Sequence, residues 1–298
     1  MKKIVIGLLL LAGVLSACAA APRQETTVSS EPLKKQEKKE EVIQELIVRE
    51  GTNLESRVKT PEGFQRTQEK KGSLGEFLRA YPLKPHGSPV LLFDKKKKRN
   101  QGAHEAVFQM NLGSRDLQQC ADSIMRVYAE YLYQSGQKDK IAFHFVDGFL
   151  CDYKHWRQGY RVAFQKNGKP YWSKKTGVKD DREVFEKYLN VVFAYSSTLS
   201  MVEETKKISP KDLKIGDVFL RGGSPGHIVM VVDTCKNRKG ELLFLLAQGY
   251  MPAQEFHLLK NPQNNKNPWY RLEEGQKELS TPEYGFAVDE LRRVVYLD

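Results

Sequence analysis

The sequence has no CxxC pair, no HExxH helix, no Walker loop and no GxSxG elbow. Zinc-ribbon, zincin, P-loop and α/β-hydrolase chemistry therefore lack the residues that would perform them. No cofactor motif is present either. The most apolar segment, Ile4–Leu15, stops well short of the roughly 20 residues a spanning helix needs. Cysteine is scarce, at four in 298 residues, too few for a disulfide-built scaffold. Acidic charge falls short of basic charge, leaving a formal net charge of +11. Its densest run, Lys95–Arg99, has no interleaved aromatics, so the expectation is a solvated loop and no nucleic-acid surface. The other partners such charge could attract are anionic envelope polymers or lipid headgroups.

What is present begins with an address. Two lysines, the Ile4–Leu15 run and small residues ahead of a cysteine make residues 1–17 a secretory signal peptide. The ending Leu15-Ser16-Ala17-Cys18 resembles the bacterial lipobox, which implies cleavage before Cys18 and lipidation of its thiol. The mature chain would then be held on a membrane of the cell envelope. Ala19 lacks the acid that often retains lipoproteins at the inner membrane, which favours the outer one, on its periplasmic or surface face. Residues 18–45 are polar, charged and poor in aromatics, so they read as a disordered tether. Residues 46–298 are enough for a single α+β domain with a real core.

With Cys18 assigned to lipid, Cys120, Cys151 and Cys235 remain, and an odd number leaves at least one thiol free. Leu117, Cys120, Ile124, Val127, Tyr128, Tyr131 and Leu132 recur at helical spacing, and Gly136 ends the pattern. Asp116 with Gln119 reads as a capping-box variant that sets Cys120 near the end of the first turn. There the positive end of the helix dipole favours the thiolate. A buried, inert cysteine on the apolar face is the plainer reading of the same pattern.

Residues 220–232, LRGGSPGHIVMVV, set a histidine at the mouth of an apolar run. With LLFLLAQGY from Leu242 after a turn, the pattern is an antiparallel meander. A two-residue turn at Asn237-Arg238 sets His227 opposite Gln248, and one at Arg238-Lys239 sets it opposite Tyr250 with Gln248 on the diagonal. Either register puts the imidazole and the amide on one face, and an odd-length turn would separate them. The GGSPG stretch leaves little side-chain bulk over the ring. A thiol, a base and an amide to orient the base form the logic of a cysteine hydrolase.

These residues resemble the NlpC-type cell-wall peptidases and related amidase domains. The likeness rests on Cys120-Ala121, on Leu213-Lys214-Ile215-Gly216-Asp217-Val218-Phe219, and on Gly226-His227-Ile228-Val229. It implies a papain-like fold, an antiparallel sheet packed on a helix with the nucleophile at its N-terminus. Cys120 would be nucleophile, His227 base and Gln248 the polar third residue, with the Cys120 amide in an oxyanion hole. A peptide or peptidoglycan amide would be the substrate. From about Phe108 onward the chain also looks like the bacterial lipoproteins of domain of unknown function 4846. Asp116–Asp122 and Leu246–Gln254 carry that likeness, which assigns no activity. The alternative function is an envelope binding or scaffold lipoprotein that keeps the fold without turnover.

A large insertion separates Cys120 from His227. Phe143–Gly148, Gln158–Gln165 and Tyr171-Trp172 read as added strands, and Asp181–Leu199 as a helix. Trp156, Trp172 and Trp269 read as core, with sugar stacking the sharper alternative. A Cys151 to Cys235 disulfide would be compatible with export and leave Cys120 free. His144 with Asp147, and His155, lack metal-ligand spacing.

Overall fold

The computed structural model describes residues 45–295. The signal segment 1–17, the lipid-acceptor Cys18 and the tether up to residue 44 lie outside the described residues. The described residues belong to one compact unit, a mixed α+β structure built on an eight-stranded antiparallel sheet. Among them no helix is long and apolar enough to cross a membrane.

The sheet runs in the order 104–107, 257–259, 242–248, 227–237, 218–221, 291–294 and 205–207, and 64–66 pairs with the far end of 227–237. Both central strands are nearly continuous in apolar residues because both faces of the sheet are covered. Ile228, Met230 and Val232 pack with Leu243, Leu245 and Ala247 against the Cys120–Gln134 helix and the insertion. Val229, Val231, Phe244 and Leu246 pack on the other face with Tyr270, Leu279 and Phe286. Val229, Val231, Leu243, Leu245, Ile124 and Tyr128 are all buried, and 227–237 pairs antiparallel with 242–248, as the meander predicts.

The insertion forms two separate two-stranded ribbons, Ala142–His144 with Leu150–Asp152 and Tyr160–Phe164 with Pro170–Lys174. Its helix runs Arg182–Tyr195 behind an Asp181 cap. The expected continuation to Leu199 breaks at extended Ser196, and Ser197 caps a new helix, Thr198–Glu203. Of the Leu213–Phe219 motif only Val218 and Phe219 are strand, within Val218–Arg221. Leu213 to Asp217 turns instead. Gly216 has φ of +93 and a side chain there would meet Leu74 at 2.7 Å, while Asp217 accepts the Lys214 amide at 2.7 Å and pairs with Arg293 at 2.7 Å. The Gly-Asp pair of the motif is thus a turn former and an anchor for the neighbouring 291–294 strand.

Candidate active site at the mouth of the central hairpin

The helix begins at Cys120 itself, about one turn later than the spacing of Asp116 and Gln119 predicts. Asp116 is drawn away: its Oδ1 accepts the Ala253 amide at 2.7 Å and the Gln119 side chain at 3.1 Å. Asp122 closes the turn instead, accepting the Gln119 N–H at 3.0 Å. Gly249 lets the helix start lie against the end of the second hairpin strand, since a Cβ there would stand 2.2 Å from Ser123 Oγ and 2.9 Å from the Gln119 carbonyl.

Cys120 is 8% exposed. Burial pushes its thiol up to about 11, the nearby Asp122 carboxylate adds to the rise, and the backbone N–H groups of Ala121, Cys120 and Ile228 oppose it. The helix terminus does favour the thiolate, as its dipole predicts, but desolvation outweighs it.

His227 opens its strand, and Gln248 Oε1 lies 2.7 Å from His227 Nε2. The hairpin reaches this arrangement by two irregularities. Asn237 and Glu241 close a three-residue loop with Gly240 at φ of +84, and an odd loop alone would put His227 and Gln248 on opposite faces. Leu245 then pairs with Asp233 but Leu246 pairs with Val231, so Val232 is bulged out of the ladder and the parity is restored. Ala247 faces Met230, which extrapolates to His227 opposite Tyr250, with ring centroids 4.6 Å apart. Gln248 takes the diagonal place.

The ring also packs on Tyr284 at 5.0 Å and is 2% exposed, so the expected open mouth is closed. Tyr284 donates to the Pro225 carbonyl at 3.0 Å, holding the GGSPG loop. Glycine is required there for close approach, because a Cβ at Gly226 would lie 2.6 Å from Thr198 Oγ1. Burial depresses the imidazole to about 4, with the Gln248 bond opposing and the Lys98 charge assisting, so the ring is neutral near pH 7. Cys120 belongs to the helix-side cluster, whereas the His227 ring joins Tyr250, Tyr284 and Phe286. The two elements meet at the strand end, where the Ile228 amide, one residue past His227, favours the charged sulfur. No hydrogen bond joins Cys120 to His227.

Sequence reading missed the polar group behind Gln248. Lys98, read as part of a solvated loop, is 6% exposed and bonded to Glu283. Gln248 Nε2 reaches Glu283 Oε2 at 3.0 Å, and Lys98 Nζ reaches His257 Nε2 at 3.3 Å. Apart from the lysine, the run behaves as expected, with Lys95, Lys96, Lys97 and Arg99 exposed. Nothing local marks Lys98 or Glu283, which are 185 residues apart in sequence.

Cys151 and Cys235 are free, buried thiols rather than a disulfide. Trp156 and Trp269 lie in the core, where their indole N–H groups meet the Val184 and Lys59 carbonyls. Trp172 is partly buried and stacks on His155 at 5.1 Å. Among the described residues no group of three or more His, Cys, Asp or Glu side chains is placed to hold a metal ion.

Fold and site together define an α+β protein whose antiparallel sheet carries a buried histidine and glutamine at the start of a helix headed by cysteine. The chain belongs to the family described as Domain of unknown function (4846), which it matches over residues 54–293. That match begins well before Phe108 and takes in the strand 64–66 and the Lys98 loop. No curated protein and no solved structure matches the chain.

Proposed function

We propose that this chain is an envelope-anchored lipoprotein with a papain-like, NlpC-type cysteine hydrolase fold that cleaves amide bonds in cell-wall peptides. Cys120 is the nucleophile, His227 the base and Gln248 the residue that orients it. One observation carries the reading: the Ile228 amide, which favours a charged Cys120 sulfur, is next in sequence to a His227 already held by Gln248 at 2.7 Å. Because thiol and ring are both neutral at rest, proton transfer accompanies attack. The ring takes the thiol proton as sulfur bonds to the substrate carbonyl carbon. The Cys120 N–H steadies the oxyanion, the amine leaves with that proton, and water then hydrolyses the thioester with His227 again as base.

The second reading is an envelope binding or scaffold lipoprotein without turnover. The missing Cys120 to His227 hydrogen bond and the raised thiol favour it. The deciding experiment incubates the full chain with a mixture of peptidoglycan fragments and follows products by mass spectrometry. The hydrolase reading expects new amine-bearing fragments that vanish in Cys120→Ser and His227→Gln. Identical spectra for wild type and Cys120→Ser would remove it. Membrane anchoring is tested separately by fatty-acid labelling, which Cys18→Ser should abolish.

A further inference from the structure

A carboxylate accepts hydrogen bonds and cannot donate them. The 3.0 Å contact of Gln248 Nε2 with Glu283 Oε2 therefore fixes which end of the amide faces Glu283. The nitrogen points there, so the oxygen points at His227. An amide oxygen only accepts, which makes His227 Nε2, at 2.7 Å, the protonated ring nitrogen. His227 Nδ1 is left with its lone pair and, among the described residues, no hydrogen bond.

The same logic closes at a second histidine. His257 Nδ1 donates to the Glu255 carbonyl at 2.8 Å, so its Nε2 accepts from Lys98 at 3.3 Å and from Gln248 Nε2 at 3.4 Å. Lys98 also bonds Glu283, and both side chains are largely buried, at 5% and 13% exposed. Each group in the cluster has one consistent donor or acceptor role.

We propose that Glu283, held by Lys98, is a positioning residue that selects the Nε2–H tautomer of His227 and so leaves Nδ1 as the free base of the ring. The role of that base rests on the hydrolase reading, but the tautomer does not depend on turnover. Lys98 makes the choice sensitive to Glu283. Without the carboxylate, the ammonium attracts the Gln248 oxygen, the amide turns over, and its nitrogen faces His227 Nε2. Only a ring protonated on Nδ1 could then accept.

The test uses the full chain labelled with 15N-histidine, in which long-range 15N–1H correlation at pH 7 distinguishes the two neutral tautomers. With six histidines in the chain, His227→Gln assigns the signal. Wild type should show the Nε2–H form alone. Glu283→Gln, and the double variant Lys98→Met with Glu283→Gln, should show two forms or the Nδ1–H form. Glu283→Asp keeps the charge pair and withdraws the carboxylate from Gln248, so it carries the test if the other two unfold. An Nδ1–H ring in wild type, or an unchanged Nε2–H ring in a folded variant, overturns the proposal. The peptidoglycan-fragment assay keeps the outcomes apart. An Nε2–H ring in a chain without turnover removes only the hydrolase reading, and an Nδ1–H ring in an active chain removes only the positioning role.

Discussion

The ionisation of Cys120 decides how the site works, and it can be read directly. A thiol titrating near 11 carries about one thiolate in ten thousand at pH 7, and an unperturbed one near 8.5 carries about three in a hundred. Cys120 should therefore alkylate at least about 300-fold more slowly at neutral pH than an open cysteine, with its 8% exposure slowing it further. The assay is timed iodoacetamide labelling from pH 6 to 10, quenched and quantified by mass spectrometry of the Cys120 peptide, with the unfolded chain as reference. The rate should climb about tenfold per pH unit without levelling. His227→Gln should leave the profile unchanged, because a ring depressed to about 4 holds no charge to share with sulfur. A plateau below pH 8 that disappears in His227→Gln would show an ion pair and refute the neutral resting state.

Three further outcomes follow from the packing and the charges. Gly249→Ala should destabilise the chain by about 1–3 kcal/mol in thermal melts, as overpacking does, and Ser123→Gly in the same chain should recover part of it by removing the Ser123 contacts. Asp233→Asn should cost about 3–5 kcal/mol in denaturant unfolding, because the buried carboxylate holds Arg66 at 2.7 Å and Arg79 at 2.8 Å. Acid should weaken the fold through His227. Its folded value, about 4, lies below the unfolded one near 6.5, so the unfolded chain binds the extra proton, and stability present above pH 6.5 drains away toward pH 4. The loss is about 3 kcal/mol, and His227→Gln should flatten that part of a melting-temperature profile against pH.

The meander was legible because its signal is strong: two apolar runs, a turn between them and a polar residue at each outer end. The helix was legible for the same reason, through its seven spaced apolar positions. Its start was not, because Asp116 is claimed by Ala253, a partner 137 residues away that no local pattern announces. Lys98 and Glu283 were hidden likewise. A lysine in a basic run reads as solvated, and only the folded chain shows that one of the run turns inward to a carboxylate near the other end of the sequence.

The shared face of His227 and Gln248 was anticipated, although the hairpin reaches it by a different path. An even turn was assumed, whereas the loop at Arg238–Gly240 is odd, and the Val232 bulge compensates for it. Without the bulge, His227 and Gln248 would project from opposite faces of the sheet. The buried imidazole and the Gln248 oxygen would then lose each other as partners, at about 1–3 kcal/mol each. The bulge opens one place in the ladder at Val232, whose side chain is fully buried in the core. It keeps the apolar face apolar and gathers His227, Gln248, His257 and Glu283 where each finds a partner. Parity along the strand is therefore what joins the packing of this sheet to the chemistry at its mouth.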